Sequence, residues 1–308
     1  MKSSVSPPIS RPNFLASLWE FSRPHTIIGT SLSVWALTLL AVTPETFTGS
    51  YGWAVLGAWV TCLAGNVYIV GLNQLTDIDI DKINKPHLPV AAGYFSRKTG
   101  WWIVWFCGGL ALVLSAASGL WLGVTVWVSL AIGTMYSLPP VRLKRFPLLA
   151  AMCIFTVRGV VVNLGLFAHF QAILQNPVVI TPTVWLLTGF IVVFTVAIAI
   201  FKDVPDLEGD RQYQITTFTL LLGKKCIFQL SLGIILACYM AMILGGMFLE
   251  TDLNPPLFIG AHVLLGGLLW WRSRGVNLEQ KEDITDFYQF IWKLFFLEYL
   301  LFPLAHWL

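Results

Sequence analysis

The chain has 308 residues, of which 56% are hydrophobic and only 11% are charged, and its mean hydropathy is +0.74. A soluble globular domain carries about 25% charged residues. This composition therefore excludes an ordinary soluble protein and predicts an integral membrane protein. The net charge of +3 says little by itself, and we expect no nucleic-acid partner.

Apolar segments long enough to cross a membrane, about 20 residues each, recur along the whole chain. In chain order we predict spans at residues 26–43, 52–72, 99–117, 119–137, 147–169, 183–201, 226–248, 256–271 and 287–307. No long linker or low-complexity tract divides them, so we expect one domain over residues 1–308. The predicted fold class is an all-α integral membrane bundle of nine transmembrane helices.

Positive charge is concentrated on one side of these predicted spans. Nine spans would place the N-terminus and every second connection on the same side, and 17 of the 19 Lys and Arg residues fall there. The opposite connections carry only Glu45, Glu250 and Asp252, and the other two cations, Arg158 and Lys293, lie within predicted spans. Because cytoplasmic loops are rich in Lys and Arg, we expect the N-terminus to be cytoplasmic.

Two acidic stretches stand out because the chain has few carboxylates. Seven of the 16 Asp and Glu residues lie within residues 73–81 and 202–210, and each stretch follows a predicted span. The charge distribution puts both on the cytoplasmic side. Carboxylates clustered at a membrane edge indicate divalent cations, which at such sites most often serve a phosphorylated ligand. The alternative is two solvated acidic loops.

The first stretch has a regular spacing. Asn73, Asp77 and Asp81 are four residues apart, so a continuous helix would carry all three on one face. Such side chains repel one another unless a cation lies between them, and Mg²⁺ is bound by one or two carboxylates together with water and phosphate oxygens. Asp79 lies off this face and is not assigned to the site.

The second stretch has a similar pattern. Asp203, Asp206 and Asp210 would also share one helical face, although we expect Pro205 to kink or break the helix there. The two stretches are separated by nearly half the chain. This favours two pseudo-repeated halves, predicted spans 1–4 and 5–8, followed by a ninth span, with the site between the halves.

Cations accompany the acidic stretches on the same predicted side. Arg142, Lys144 and Arg145 follow the fourth predicted span, and Lys202 begins the second acidic stretch. Such cations suit a diphosphate, which Arg can bind through two hydrogen bonds. The alternative is that they only orient the protein in the membrane. We favour that alternative for Arg145 and leave it open for Arg142 and Lys144.

Polar residues within predicted spans are candidates for a functional site. Arg158 and Asn163 lie in the fifth predicted span, and Arg23 precedes the first. We expect Arg158 to pair with a carboxylate, either of the protein or of a substrate. Lys293 and Glu298 in the last predicted span are assigned no role.

Several motifs carry a resemblance to a known family. The Asn-x-x-x-Asp-x-x-x-Asp pattern of residues 73–81, the Lys-Asp-x-x-Asp-x-x-Gly-Asp pattern of residues 202–210 and the many apolar spans resemble the intramembrane aromatic prenyltransferase (UbiA-type) family. The members of that family that prenylate homogentisate in cyanobacteria and plastids are similar over residues 21–26, 71–86, 201–210 and 290–299. The resemblance covers nearly the whole chain.

The resemblance implies a nine-helix bundle with a central cavity that opens to lipid, and Mg²⁺ as the cofactor. The metal ligands that it implies are Asn73, Asp77 and Asp81 for one ion and Asp206 and Asp210 for the other, with Asp203 as an additional ligand. Asp77, Asp81, Asp206 and Asp210 are the expected catalytic residues. Arg142 and Lys144 match the family's cations around the diphosphate, and we add Lys202 to them.

The resemblance also implies an activity. A phytyl group passes from phytyl diphosphate to homogentisate with loss of CO₂ and diphosphate, and the product is 2-methyl-6-phytylbenzoquinol, a tocopherol precursor. A site for this acceptor must also hold its carboxylate, and we expect Arg23 or Arg158 to do so, with Asn163 as a further acceptor-binding residue. We expect a cyanobacterial or plastid membrane, with the site on the cytoplasmic or stromal side. The absence of a long Ser- and Arg-rich transit segment favours a bacterial or already trimmed chain.

Alternative functions share parts of these patterns. Chlorophyll synthase, a solanesyl- or other quinone-ring prenyltransferase and haem farnesyltransferase share the mechanism and differ in the acceptor pocket. CDP-alcohol phosphotransferases are disfavoured because their signature requires an Asp-Gly dipeptide, which does not occur in this sequence. A transporter would carry charged or broken helices in mid-membrane, whereas these acids cluster at one membrane face.

Overall fold

A computed structural model of the chain describes residues 13–43, 49–212 and 216–308. The side chains of Ser50 and Asp210 lie outside the described residues, as does Glu45. Throughout the described ranges the chain forms helices and turns and no β-strand. The predicted all-α fold class is therefore confirmed.

The first half of the chain contains α1 (Phe14–Phe21), α2 (Pro24–Ala41), α3 (Gly49–Thr76), α4 (Ile78–Asn84), α5 (Arg97–Ala117), α6 (Leu120–Ser137), a 3₁₀ turn (Leu143–Arg145) and α7 (Pro147–Phe155). A π-helical segment (Thr156–Val161) then leads into α8 (Val162–Ile173), α9 (Pro182–Phe201), α10 (Leu207–Gln212), α11 (Phe218–Leu222), α12 (Lys224–Phe248), α13 (Pro255–Ser273) and α14 (Lys281–Trp307).

Seven helical stretches are long and apolar enough to cross a membrane, and they coincide with the first seven predicted spans. They are Pro24–Ala41, Tyr51–Thr76, Arg97–Ala117, Leu120–Ser137, Pro147–Ile173, Pro182–Phe201 and Lys224–Phe248. The last two predicted spans are present as α13 and α14, but these helices are not among the seven because polar residues such as His262, Lys293 and Glu298 lower their apolar content. Within the described residues, the count of nine transmembrane helices is therefore not confirmed.

The long helices begin at recognisable sequence signals. The hydroxyl oxygen of Ser96 accepts a hydrogen bond from the backbone N–H of Thr99 at the start of α5. Thr181 and Asn254 cap α9 and α13 in the same way, and each is followed by a proline in the first helical position. These residues satisfy backbone donors that have no partner within the helix.

Helix packing leaves a space in the middle of the bundle. α3 packs against α5 and α6, α12 packs against α9 and α13, and α14 contacts both α2 and α9. Small residues allow close approach, as at Gly108 of α5, where an added Cβ would lie 2.5 Å from the ring of Tyr68 of α3. The central space is bordered by α2, α3, α6, α9, α14 and the wall formed by α7, the π-helical segment and α8.

The π-helical segment is an irregular turn inside one long spanning stretch. It joins α7 to α8 and packs against α9. Gly159 permits this contact, since a Cβ there would lie 2.5 Å from Cγ2 of Val192. Single wide turns of this kind occur often at functional sites, and this one carries Arg158.

Candidate functional site

Two adjoining cavities, which share several lining residues, occupy the centre of the bundle and one of its ends. The larger has a volume of about 690 Å³ and a wall of mixed character that includes many charged side chains, and the smaller, of about 300 Å³, is mostly apolar. The residues that border both are Arg23, His25, Asn73, Tyr136, Ala199, Lys202 and Tyr288. We call the larger space the polar cavity and the smaller one the apolar cavity. The residues that border both form the junction. The predicted central cavity is thus present.

The first acidic stretch does not form the single helix predicted for it. α3 ends at Thr76, and Asp77 lies between α3 and α4 with φ −119° and ψ 19°. A new helix that starts there gives Asp77 an N-terminal position, which favours an acidic side chain. Asn73 Nδ2 still donates to Asp77 Oδ2 at 3.3 Å, and Asn73, Asp77 and Asp81 all line the polar cavity.

Two cations bind Asp77. Arg142 Nη2 lies 3.1 Å from Asp77 Oδ1, and Lys144 Nζ donates to Asp77 Oδ2 at 2.6 Å and to the hydroxyl of Thr76 at 2.9 Å. Burial lowers the pKa of Lys144, although Asp77 opposes this shift. Arg142 has a φ of 38°, a strained conformation for a residue other than glycine. Arg142 and Lys144 therefore lie against a carboxylate of the first acidic stretch.

Asp81 has the features of a cation ligand. Its side chain is 5% exposed, and burial raises its pKa to about 6. Its Oδ2 atom is buried and has no hydrogen-bond partner among the described residues. A buried carboxylate oxygen without a partner is costly unless a cation or donor completes it. Asp79, by contrast, is 71% exposed and lies 2.8 Å from Lys82, away from the cavity.

The second acidic stretch also differs from the prediction of one helical face. α9 ends at Phe201, and Asp203 and Asp206 lie in the turn that follows it. Pro205 lies in the same turn, so the expected break at this proline is confirmed. Asp203 and Asp206 both line the polar cavity. The side chain of Asp210 lies outside the described residues.

One ion pair joins the end of α4 to the second acidic stretch, and another lies within that stretch. Lys85, which follows α4, forms an ion pair with Asp206, and Lys202 Nζ lies 2.7 Å from Asp203 Oδ1. Burial alone would lower the pKa of Lys202, but the neighbouring carboxylates, Asp203 foremost, raise it well above its usual range. The second stretch thus faces the first across the polar cavity through paired charges.

The oxygen atoms that line the polar cavity fit a divalent cation that is bound by both the protein and a phosphate. Among the residues that the structure describes, no three His, Cys, Asp or Glu side chains converge on one point. Mg²⁺ does not require this, because it usually binds one or two carboxylates together with water and substrate phosphates. The side chains that could hold it are Asn73, Asp77 and Asp81 on one wall and Asp203 and Asp206 on the other.

The three predicted acceptor residues occupy different places. Arg23 Nη2 donates to Asn73 Oδ1 at 3.2 Å, so Arg23 belongs to the junction. Asn163 is fully buried, donates to the carbonyl of Gly159 at 2.7 Å and accepts from the hydroxyl of Tyr299 at 3.0 Å. Asn163 therefore supports neighbouring groups and does not line a cavity. Arg158 lines the apolar cavity.

Sequence reasoning missed some lining residues. Lys85 continues the four-residue spacing of Asn73, Asp77 and Asp81, and this signal could have identified it. Tyr288 has no comparable sequence signal. Lys293 and Glu298, which were assigned no role, line neither cavity. Glu298 is fully buried against His262, with 3.1 Å between Oε2 and Nε2, and Lys293 is exposed.

Comparisons with known proteins identify the family of the chain. The model of the UbiA prenyltransferase family matches residues 30–294. The chain is 58% identical to homogentisate phytyltransferase of Synechocystis sp. over 96% of both chains. It is 42% identical to homogentisate phytyltransferase 1 of Arabidopsis thaliana over 94% of this chain and 75% of that protein. It is 40% identical to homogentisate geranylgeranyltransferase of Triticum aestivum over 94% of this chain and 72% of that protein.

Solved structures share the fold. A UbiA homologue from Archaeoglobus fulgidus bound to GPP and Mg²⁺ superposes with a TM-score of 0.63 at 18% identity, over 93% of this chain and 99% of that one. Such a low identity shows the fold alone. The shared fold, the family match over most of the chain and the apolar helices support the same conclusion. The chain is an integral membrane protein that belongs to the UbiA prenyltransferase family.

Proposed function

We propose that the protein transfers a phytyl group from phytyl diphosphate to the aromatic ring of homogentisate. One observation carries the proposal, namely that a polar cavity lined by both acidic stretches and their cations adjoins an apolar cavity and shares lining residues with it. A prenyl diphosphate has the same division into a charged head and an apolar tail. The 58% identity to the phytyltransferase of Synechocystis supports the choice of donor and acceptor.

The polar cavity is the proposed site of the diphosphate and of Mg²⁺. The proposed ligands are Asn73, Asp77 and Asp81 for one ion and Asp203, Asp206 and Asp210 for the other. Bound there, Mg²⁺ would neutralise the diphosphate and make it a better leaving group. The archaeal homologue solved with GPP and Mg²⁺ has the same fold, which supports this assignment.

Three cations of the chain are proposed to bind the phosphate oxygens. Arg142, Lys144 and Lys202 line the polar cavity, and each lies within 3.1 Å of a carboxylate of the acidic stretches. These carboxylates fix the positions of the cations before the substrate binds. Preorganised charges stabilise the negative charge that develops on a departing diphosphate without reorganisation during the reaction.

The apolar cavity is the proposed site of the isoprenoid chain. Its wall includes Leu130, Leu166 and the aromatic side chains of Trp292, Phe295 and Tyr299. Aromatic faces stabilise positive charge, such as that of the allylic cation left when diphosphate departs. The apolar wall also keeps water away, so the cation reacts with the acceptor rather than with water.

The chemical steps balance without an external oxidant or reductant. The bond from C1 of the phytyl group to the diphosphate oxygen breaks, and a ring carbon beside a hydroxyl group then attacks C1 of the allylic cation. That ring carbon then loses its proton and the ring becomes aromatic again. The side chain loses CO₂, and one proton takes its place on the methylene carbon. One proton is released and one is taken up.

The orientation and the internal symmetry are proposals as well. The concentration of Lys and Arg around the acidic stretches supports a site that faces the cytoplasm or the stroma. The position of one acidic stretch after α3 and of the other after α9 supports a single domain of two pseudo-repeated halves, and the polar cavity lies between these stretches.

Geranylgeranyl diphosphate is the second candidate donor. The relative from Triticum aestivum that bears the name homogentisate geranylgeranyltransferase is 40% identical to this chain. The two donors have the same charged head and the same number of carbon atoms in the tail, so the polar cavity does not distinguish them. The discrimination would depend on the walls of the apolar cavity.

A direct assay tests the proposal. Protein purified in detergent is incubated with Mg²⁺, homogentisate and phytyl, geranylgeranyl or solanesyl diphosphate, and products are identified by mass spectrometry. We expect phytylated, decarboxylated quinol, a lower rate with the other donors and no product after chelation of Mg²⁺. The absence of a prenylated product with every donor, with chlorophyllide also tried as acceptor, would overturn the proposal.

A further inference from the structure

We infer that Arg158 binds the carboxylate of the aromatic acceptor and thereby selects an acidic hydroquinone over a neutral one. This inference rests on the proposed function and deepens it by naming the group that recognises the acceptor. Of the three predicted acceptor residues, Arg158 lines the apolar cavity alone, Arg23 borders both cavities and donates to Asn73, and Asn163 lines neither.

The first observation is that Arg158 has no carboxylate partner among the described residues. Within the described part of the chain, no Asp or Glu lies within ion-pair distance of Arg158. The cationic or imidazole side chains that do have such a partner there are Lys82, Lys85, Arg142, Lys144, Lys202, His262 and His306. A cation in the middle of a spanning segment is costly, and it is usually paired or functional. A carboxylate of a bound substrate would complete Arg158.

The second observation is that the guanidinium is held in place. Its central carbon lies 4.6 Å from the ring centroid of Trp292 and 5.6 Å from that of Phe295. Both rings are almost completely buried. Stacking on aromatic faces stabilises the charge and leaves the N–H groups at the edge of the guanidinium available. An edge of this kind can bind a carboxylate through two parallel hydrogen bonds.

The third observation is the backbone that carries Arg158. It lies in the π-helical segment, and the adjoining Gly159 allows that segment to pack closely on α9. On the opposite wall, a Cβ at Gly29 of α2 would lie 4.0 Å from Nη1 of Arg158. The guanidinium therefore lies between two helices that both border the cavity.

The ring of Trp292 links Arg158 to the junction. The ring of Trp292 lies 4.9 Å from the ring of His25, and His25 belongs to the junction with the polar cavity. Trp292 thus contacts both Arg158 and a junction residue. An acceptor whose carboxylate is on a short arm could contact Arg158 while its ring lies at the junction, next to the carbon that leaves the diphosphate. Homogentisate has this shape.

Replacement of Arg158 by leucine tests the inference. We expect the KM for homogentisate to rise about 100-fold, as for the loss of a hydrogen-bonded charge pair, while the KM for phytyl diphosphate stays within twofold. Binding of 2-methylhydroquinone, which has the same ring without the carboxylate, is measured as competitive inhibition and should change less than threefold. Arg158→Lys should recover part of the affinity for homogentisate.

The matched control is Lys293→Leu, which removes another cation from a predicted span. Lys293 follows Trp292 in α14 but is exposed and lines neither cavity. The KM of the Lys293→Leu variant for homogentisate should therefore match that of the wild type. Size-exclusion chromatography and a thermal melt in detergent check that each variant folds. If Arg158→Leu does not fold, Arg158→Lys and Arg158→Gln are compared for the same selective loss.

The outcomes separate this inference from the proposed function. If the wild type prenylates homogentisate and the KM of Arg158→Leu stays within twofold of it, the inference is wrong and the function stands. An equal loss for homogentisate and 2-methylhydroquinone makes Arg158 a structural residue and also overturns the inference. If the wild type does not prenylate homogentisate, both are wrong.

Discussion

Carboxylates lie at both ends of the helix bundle, but they are arranged in different ways. α9 has 20 residues, which is about 30 Å in an α-helix, and it has Asp203 beyond its C-terminal end. Near its other end, Asp252 accepts a hydrogen bond from the hydroxyl of Thr183 and lies 2.8 Å from Nδ1 of His306. Asp252 therefore connects the loop before α13 to both α9 and α14.

The two groups of carboxylates differ in how many of their oxygen atoms are left to bind a ligand. Both oxygens of Asp252 have protein partners, and the residue lines neither the polar nor the apolar cavity. At the site, Asp81 keeps one buried oxygen that has no partner among the residues that the structure describes, and four aspartates share a cavity with several cations. An acidic residue at a helix end is thus a candidate ligand when a cavity and an incomplete hydrogen-bond set accompany it. The following predictions test this distinction.

The largest effect is expected at Asp77. Asp77→Ala removes a proposed metal ligand and leaves Arg142 and Lys144 without their carboxylate partner, so kcat should fall at least about 1000-fold. The measurement is the initial rate of quinol formation by purified protein. The control is Asp79→Ala, which changes an exposed neighbour and should stay within about twofold of the wild type. A kcat above one tenth of the wild-type value in Asp77→Ala would contradict the assignment.

A smaller effect is expected at Lys144. Lys144→Ala should lower kcat/KM for phytyl diphosphate about 100-fold, because it removes a buried charge that binds Asp77 and is proposed to bind a phosphate oxygen. Arg145 is the matched control. It also borders the polar cavity, but its guanidinium lies over the ring of Phe146 at 4.8 Å. Arg145→Ala should cost less than fivefold, and equal losses in the two variants would remove the distinction between them.

The smallest effect on activity is expected at Asp252. Hydrogen bonding by His306 lowers the pKa of Asp252 to about 2, below its ordinary value of about 3.9. A lowered pKa stabilises the fold above the ordinary value, and this stability is lost as the pH falls towards 2. The side chain is half-exposed, so after allowance for solvent screening the contribution is about 1 kcal/mol.

Asp252→Asn should therefore lower the melting temperature by a few degrees at neutral pH and reduce the loss of stability between pH 4 and pH 2, with activity within twofold of the wild type. Thermal unfolding in detergent at several pH values measures the first two effects, and the quinol assay measures the third. A tenfold loss of activity in a folded variant would show that this end of the bundle also takes part in the reaction.

The sequence predicted the first seven spanning helices because long apolar segments have few alternatives to a helix in a membrane. It was less successful where charges interrupt the helices. The spacing of Asn73, Asp77 and Asp81 predicted one continuous helix, but a new helix begins after Asp77. A helix end in a polar segment depends on tertiary contacts, such as the cations on Asp77, which come from a segment more than 60 residues away.

The same limit explains which site residues could be predicted. Asp203 and Asp206 were identified because their pattern is local. The pair between Lys85 and Asp206 joins residues 121 positions apart, and no local signal indicates it. The supporting position of Asn163 depends on the hydroxyl of Tyr299, 136 residues further along the chain. Residue type alone could not separate support from substrate contact.

The π-helical segment has a consequence for the geometry of the cavity wall. Ile154, Arg158, Val162 and Leu166 all line the apolar cavity, and they are spaced four residues apart. In an α-helix of 3.6 residues per turn, positions four apart rotate by about 40° per step, so such a row would wind away from the cavity. The segment has more residues per turn, which turns the row back by a similar angle. Removal of one residue from the segment would keep the helix but would rotate the side chains of α8 away from their present positions in the cavity wall.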